Sequence, residues 1–176
     1  NAFTQSGKGQ GAPVLAGVTA DNAIQKYEEA AHTLTIGQRD LVRALIPSKD
    51  RFVSVQGFAG TGKTTAIRAA NTILDDPKLN EDGVRLYGIA NTKSATEEIG
   101  KHGIEARTTA SFLARFTSFC HRVVLPAGEE KQVWENTIIL CDEASFAGNA
   151  DMEAVMAIAD KLEVRGFIAQ GDRDQL

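Results

Sequence analysis

The chain has 176 residues, enough for one domain with a buried core. Hydrophobic residues make up 43% and charged residues 24%, which is ordinary for a globular domain, and no apolar run approaches the ~18 residues of a transmembrane helix. The net charge of −4 excludes a globally basic nucleic-acid-binding surface, although it leaves room for a cleft with local positive charge.

The first part of the chain is rich in glycine and poor in large apolar side chains. We interpret residues 1–20 as a flexible linker and residues 21–176 as the folded domain. Because the chain starts with Asn1 and stops directly after a predicted strand, we expect it to be a piece of a longer polypeptide.

Two helices are predicted before the first strand. Apolar residues at three- and four-residue spacing predict a helix from Asp21 to His32. Thr35 and Gln38 have the form of a capping box that begins a second helix, which ends near Ile46. Gln38 has two interpretations: it is the capping partner, which the local spacing favours, or it is an amide that recognises a purine upstream of a phosphate loop.

A phosphate-binding loop follows the first predicted strand. Residues 57–64 fit the pattern G-x-x-x-x-G-K-[ST], with a β-rich run before them and a predicted helix after them. In this pattern the lysine, Lys63, reaches the β- and γ-phosphates, and the hydroxyl of Thr64 is a ligand of Mg²⁺. The expected nucleotide-binding residues of this segment are Gly57, Gly60, Thr61, Gly62, Lys63, Thr64 and Thr65.

The middle of the chain contains one more strand and two more helices. Residues 84–90 are predicted to form the second strand, and Asn91 or Thr92 then caps a helix. Thr92 fits a cap and a ligand contact equally well. A further helix is predicted from Thr108 to Phe119, and residues 126–131 are predicted to be a solvated loop.

An acidic pair follows the most apolar run of the chain. Residues 137–141 have the continuous apolar character of a strand buried on both faces of a parallel sheet. We expect Asp142 to hold Mg²⁺ together with Thr64, since this ion keeps several waters and needs few protein ligands. Glu143 is expected to polarise the attacking water.

The end of the chain adds a helix over residues 149–162 and a last strand over residues 164–170. The segment Gly171-Asp172-Arg173-Asp174-Gln175 comes directly after that strand. Gln175 is expected to donate a hydrogen bond to the γ-phosphate and so to report its presence or loss.

Cysteine use points to a reducing compartment. Cys120 and Cys141 have no metal-ligand spacing, and Cys141 lies inside an apolar run. A buried free thiol is therefore favoured over a disulfide. We expect a cytoplasmic location.

The alternation of strands and helices predicts an α/β fold, a three-layer P-loop NTPase with a mostly parallel sheet flanked by helices. Ligands of such sheets bind beyond the carboxyl ends of the strands. Because each polar motif follows a predicted strand, we expect the motifs to share one site for ATP and Mg²⁺.

Five segments, in this order, resemble the motifs of superfamily 1 DNA helicases of the RecD-like branch, and most closely the helicase region of TraI-type (MobF) conjugative relaxases. The segments are Leu34–Gln38, Gln56–Thr65, Thr109–Leu113, Cys141–Ser145 and Gly171–Leu176. The resemblance implies a RecA-like fold and the first motor lobe of a bacterial, ATP-dependent helicase. The full protein would move 5′ to 3′ on single-stranded DNA.

The resemblance also implies individual roles. It makes Gln38 an adenine-reading residue, and it implies that Thr92, Thr109 and Ser111 contact phosphates of single-stranded DNA. Where the family has proline before the threonine of the first DNA motif, this chain has Asn91. That departure concerns the DNA contact and not the nucleotide site.

Catalysis is expected to involve Lys63, Glu143 and Gln175, completed by a second RecA-like lobe of the same polypeptide that supplies arginines. We therefore expect the isolated chain to bind Mg-nucleotide weakly and to hydrolyse little. Two alternatives stay open: a non-catalytic relaxase module that binds DNA or transfer machinery, and another phosphate-loop NTPase. The retained Lys63, Thr64, Asp142 and Glu143 favour the helicase lobe over the module.

Overall fold

The computed structural model describes residues 15, 17–46, 50–57, 62–118, 122–142 and 149–172, without the side chains at 17, 18, 55–57, 149 and 172. Within these ranges the helices are α1 (Gly17–Ala30), α2 (Ile36–Leu45), α3 (Lys63–Leu74), α4 (Lys93–Gly100), α5 (Thr109–Phe116), α6 (Glu129–Glu135) and α7 (Asn149–Lys161). The strands are β1 (Phe52–Gly57), β2 (Arg85–Ala90), β3 (Glu105–Thr108), β4 (Thr137–Cys141) and β5 (Gly166–Asp172).

The strands form one parallel sheet in the order β1-β5-β4-β2-β3. The last strand in sequence lies inside the sheet, because Ile168 of β5 pairs with Val53 of β1 on one side and with Leu140 of β4 on the other. On the far side of β4, Gly88 of β2 pairs with Leu140 and with Ala106 of β3. The predicted α/β sheet of a P-loop NTPase is confirmed.

Helices cover both faces of the sheet and make the fold three-layered. Helices α1–α4 pack on a cluster that includes Leu86, Leu140 and Ile168, whereas α5–α7 pack on a cluster that includes Tyr87 and Ile139. Successive side chains of a strand point to opposite faces, so β4 supplies both clusters in turn. All of its residues are buried, which explains the uninterrupted apolar run.

An aromatic cluster holds α5 and α6 on the sheet. The ring of Trp134 lies edge-on to Tyr87 and Phe116, with centroids 5.0 Å and 5.3 Å apart. Each such pair contributes about 0.5–1.5 kcal/mol beyond the burial of its area. The guanidinium groups of Arg85 and Arg115 lie 5.4 Å and 5.5 Å from the Trp134 ring centroid, which adds cation–π attraction.

Close packing of α4 on β2 depends on a glycine. A Cβ at Gly88 would lie 2.8 Å from Cγ2 of Ile99 and 2.9 Å from Cβ of Ala106. Glycine therefore lets α4 approach the sheet closely.

Sequence patterns missed two elements and placed the ends of some helices at the wrong residues. β3 was not predicted, and the prediction of a solvated loop over residues 126–131 is wrong, because α6 begins inside it and is anchored by Trp134, which is 1% exposed. Helix α1 begins at Gly17, before the predicted Asp21, and α5 ends at Phe116, before the predicted Phe119. No helix in the described part of the chain is long and apolar enough to cross a bilayer.

Candidate nucleotide-binding site

The carboxyl ends of the central strands meet at one edge of the sheet, because β1, β5 and β4 are parallel. Gly57, at the end of β1, pairs with Asp172 of β5. Asp142 follows β4 directly, and its N–H donates to the carbonyl oxygen of Ile89 in β2 at 2.8 Å. The strand that leads into the phosphate loop and the strand that leads into the acidic pair thus end at the same edge of the sheet, on either side of β5.

Helix α3 starts at this edge without a side-chain cap. Its N-cap, Gly62, has φ +73, in the left-handed region that favours glycine. The carbonyl oxygen of Gly62 accepts the N–H groups of Thr65 and Ala66 at 3.0 Å and 3.3 Å. Lys63 and Thr64 form the first turn, where helix geometry directs backbone N–H groups outward and the helix dipole favours an anion.

Gln38 connects helix α2 to this phosphate-binding turn. Its side-chain oxygen accepts the N–H of Thr35 at 2.9 Å, and the Thr35 hydroxyl accepts the N–H of Gln38 at 3.3 Å, so the predicted capping box is present. The Gln38 amide nitrogen also donates to the carbonyl oxygen of Gly62 at 3.2 Å. One side chain therefore caps α2 and holds the N-cap of α3.

The start of α2 is in turn fixed to α1 by Glu28. Its Oε1 accepts the N–H of Leu34 at 2.7 Å and Nε of Arg39 at 2.8 Å, and its Oε2 accepts Nη2 of Arg39 at 2.8 Å. These charge-assisted hydrogen bonds, chiefly the one from Arg39, hold the pKa of Glu28 below its ordinary value. Glu28 thus orients the segment that presents Gln38.

A groove of about 320 Å³ lies at the same edge. Thr64 of the phosphate-loop turn, Asp142 and Gln170 line one part of it, and Thr92 lines another. Its full lining also includes Ile67, Ser94, Ala95, Glu98, Ile99 and His102. The structure therefore brings together Thr64 and Asp142, the two residues predicted to hold the metal ion.

Gln170 is a buried amide of β5 that faces this groove. It is 1% exposed, and its Nε2 donates to Oδ1 of Asp142 at 3.1 Å. Its Oε1 has no hydrogen-bond partner within the described part of the chain. Sequence reasoning missed this residue, and the available signal was an amide inside an otherwise apolar strand.

The donors around the groove fit a magnesium ion bound together with a nucleotide. A threonine hydroxyl and a carboxylate are hard oxygen ligands, and Mg²⁺ prefers few of these plus phosphate oxygens and water. Within the described ranges no three His, Cys, Asp or Glu side chains cluster as a metal site of their own. An ion held by Thr64 and Asp142 would therefore depend on the phosphates for its remaining ligands.

Several expected site residues lie outside the described residues. These are Gly60, Thr61, Glu143 and Gln175, and of Gly57 only the backbone is described. Their roles stay predictions. Thr65 lies in the first turn of α3, and its N–H donates a hydrogen bond to the Gly62 carbonyl oxygen.

The three residues expected along DNA differ in their surroundings. Thr92 is exposed and caps α4, since its hydroxyl accepts the N–H of Ala95 at 3.2 Å. Thr109 is only 6% exposed, and its hydroxyl donates to Oδ1 of Asn91 at 3.0 Å. Ser111 is half-buried, and its N–H donates to the hydroxyl of Thr108, which caps α5. The contact of Thr109 with Asn91 favours an orienting role over a direct phosphate contact.

Cys141 precedes Asp142 and is inert in this setting. It is a free thiol, 2% exposed, as predicted from the apolar run. Burial, with a smaller contribution from the charge of Asp142, raises its pKa to about 12. The thiolate, which is the reactive form, is therefore disfavoured.

A family model described as an AAA domain matches residues 33–176, the whole chain apart from its first part. The chain belongs to the AAA domain family. The match covers every motif that indicated the RecD-like helicase branch, and the recognition of that branch is confirmed. A domain of this type is a nucleotide-binding domain.

Three relatives have names that refer to conjugation. This AAA domain is 38% identical over 148 residues to "Multifunctional conjugation protein TraI" of Escherichia coli and equally to that of strain K12. It is 29% identical over 132 residues to "Probable conjugal transfer protein TraA" of Sinorhizobium fredii strain NGR234. The matches cover 84% and 74% of this chain, but only 8% of the TraI proteins and 10% of the TraA protein.

Proposed function

We propose that this AAA domain is the ATP-binding motor lobe of an ATP-dependent DNA helicase within a conjugative relaxase/helicase. The full protein couples hydrolysis of Mg-ATP to 5′ to 3′ translocation on single-stranded DNA. The observation that carries the proposal is the convergence of Thr64 and Asp142 in one groove at the N-terminus of α3. The names of the TraI and TraA relatives support the link to conjugation.

The chain's own residues bind and orient the nucleotide. The N-terminus of α3 and the Lys63 ammonium attract the phosphates, and Gln38 holds the Gly62 carbonyl so that this turn keeps its shape. A purine reaching the Gln38 amide adds base recognition to that role. Thr64 and Asp142 would hold Mg²⁺, and the bound ion would supply positive charge to neutralise the phosphate oxygens.

Glu143 and Gln175 complete the proposed chemistry at the nucleotide. Glu143 orients the attacking water and accepts its proton, and Gln175 donates to the γ-phosphate. Both follow strands whose ends lie at the edge of the groove, which supports these assignments. Arginines of a second RecA-like lobe supply further positive charge, which in related NTPases contributes about 10³–10⁵ in rate.

The DNA side of the proposal rests on the loop after β2 and on the start of α5, which follows β3 directly. Thr92 and Ser111 contact phosphates of single-stranded DNA, and Thr109 orients the first loop through Asn91. Thr92 lines the same groove as Thr64. A structural change at the bound nucleotide therefore has only a short distance to reach the DNA contact at Thr92. The nearby Arg107 and Arg115 are paired with Glu105 and Glu130.

Nucleotide titration of the wild type beside Lys63→Ala tests the proposal. We expect the wild type to bind an ATP analogue weakly in Mg²⁺. Lys63→Ala should bind it about tenfold more weakly or worse, because a charged hydrogen bond is lost. Lys26→Ala should bind it as the wild type does. Lys26 is the matched control, since its side chain is 79% exposed on α1.

Two outcomes would contradict the proposal. If wild type and Lys63→Ala are alike in failing to bind nucleotide, the non-catalytic relaxase module is favoured. Vigorous DNA-stimulated hydrolysis by the 176-residue chain alone would contradict the need for a second lobe.

A further inference from the structure

Gln170 is a polar side chain in a position that the sheet otherwise fills with apolar groups. β5 lies between β1 and β4, and Ile168, two residues earlier on the same face, belongs to the core packed against α3. An amide in this position destabilises the fold unless both of its ends find partners. Its burial to 1% exposure therefore calls for a reason.

Only one end of the Gln170 amide has a partner in the described part of the chain. An ionised carboxylate accepts hydrogen bonds and donates none, so the NH₂ group must face Asp142. This contact is the observed 3.1 Å hydrogen bond from Nε2 to Oδ1. Oε1 is consequently at the other end of the amide, where it is buried and has no donor among the described residues.

The groove that Gln170 lines indicates what completes its amide. Gln170 lines the groove together with Thr64 and Asp142. A magnesium ion bound there keeps several of its waters, and these are strong hydrogen-bond donors. Partners of metal ligands commonly orient those ligands and tune the affinity for the metal.

We propose that Gln170 is a positioning residue for the magnesium ion of the nucleotide site. Its Nε2 fixes the orientation of the Asp142 carboxylate, and its Oε1 accepts a hydrogen bond from a water bound to the ion. The inference rests on the proposed nucleotide-binding function and extends it to a residue of the sheet interior. If Gln170 has this role, the gain in nucleotide affinity that Mg²⁺ provides depends on Gln170.

The test measures the affinity for a fluorescent ADP analogue in Mg²⁺ and in EDTA and compares the two. Gln170→Met keeps the volume of the side chain and removes both amide groups. We expect the Mg²⁺-dependent gain in affinity to fall about tenfold or more, since loss of a ligand's partner costs about 10- to 100-fold in metal affinity. Affinity in EDTA should stay at the wild-type value.

Ile168→Met is the matched control, because it puts the same new side chain on the same strand and face without touching Asp142. It should keep the wild-type gain. Gln170→Asn, whose amide is one methylene too short to reach Asp142, should lose the gain as Gln170→Met does. Circular dichroism of each variant identifies any that fails to fold, and Gln170→Asn then replaces Gln170→Met in the comparison.

The outcomes separate the inference from the function on which it rests. A wild-type Mg²⁺ gain in both Gln170 variants, or an equal loss of affinity in Mg²⁺ and in EDTA, would assign Gln170 a structural role and overturn the inference while nucleotide binding stands. A wild type that binds the analogue in neither condition would overturn the nucleotide-binding proposal itself, and this inference with it.

Discussion

The side-chain nitrogen of Gln38 lies 3.2 Å from the carbonyl oxygen of Gly62, and this hydrogen bond joins the start of α2 to the N-cap of α3. The side-chain oxygen of the same residue caps α2 through Thr35. The two interpretations of Gln38 offered by the sequence are therefore compatible, since capping uses the oxygen and leaves the nitrogen directed at the phosphate-binding turn.

Substitution of Gln38 by glutamate should separate capping from nucleotide binding. Glutamate also serves at position N3 of a capping box, so capping should be kept, and the free energy of unfolding should fall by no more than about 1 kcal/mol, the contribution of the lost hydrogen bond to Gly62. It cannot donate to the Gly62 carbonyl, so affinity for an ATP analogue should fall roughly 3- to 10-fold, the effect of one hydrogen bond. Chemical denaturation and nucleotide titration measure the two effects, and an unchanged affinity would remove Gln38 from the site.

Gly62→Ala should damage the same turn by two routes. The left-handed backbone at Gly62 costs a residue with a Cβ about 1–2 kcal/mol. The new Cβ would also clash with the Gln38 amide nitrogen and displace it. We expect a drop of about 1–2 kcal/mol in the free energy of unfolding, measured by denaturation, together with weaker nucleotide binding.

Gly37→Ala is the control for that substitution. Gly37 lies in α2, its added Cβ meets no atom of the described residues within 4 Å, and alanine favours a helix. Its unfolding free energy should equal or exceed the wild-type value, and equal destabilisation by both variants would contradict the argument from backbone conformation.

Thr109→Val should destabilise the loop after β2. The hydroxyl of Thr109 is buried and donates to Asn91, so its removal should lower the free energy of unfolding by about 1 kcal/mol. Thr109→Ser keeps the hydroxyl and should lose less. Thermal denaturation compares the two, and equal stability of valine and serine variants would show that the hydrogen bond contributes nothing.

Glu28→Gln should lower stability in a pH-dependent way. The pKa of Glu28 is held below its ordinary value of 4.5, so its ion pair contributes above the pKa of the unfolded chain and is lost as pH falls through the lower folded value. We expect the variant to be about 1 kcal/mol less stable than wild type at pH 7. The difference should shrink below pH 4.5. Glu29→Gln, on the exposed side of α1, should show no such trend in urea denaturation.

Cys141 should resist thiol reagents in the folded protein. Burial raises its pKa to about 12, so the stability that this group contributes is complete below its ordinary value of 9.0 and is lost as pH rises toward 12. In a Cys120→Ser background we expect labelling by a disulfide reagent at pH 8 only after unfolding. Rapid labelling of the native protein would contradict the burial of this strand end.

Local sequence patterns were sufficient where one segment determines the outcome. The phosphate-loop helix, the apolar strand before Asp142 and the capping box at Thr35 each depend on residues close together in the chain. For the same reason the α/β class followed from the alternation of short strands and helices.

The elements that sequence reasoning missed depend on partners distant in the chain. β3, with Glu105 and Arg107 pointing outward, becomes a strand because it pairs with β2 at the edge of the sheet, and it carries no apolar alternation. Gln170 was missed because its significance comes from Asp142, 28 positions earlier. A strand pattern cannot distinguish a tolerated amide from one that faces a carboxylate.

The position of β5 also has a consequence for how this protein is made. In the described sheet β1 pairs only with β5, which is the latest of the described strands in the chain. The strand that leads into the phosphate loop can therefore pair only after residues 166–172 have been synthesised. A nascent chain lacking residues 166–172 should expose β1 to chaperones, and its nucleotide site should form only when β5 inserts beside β1.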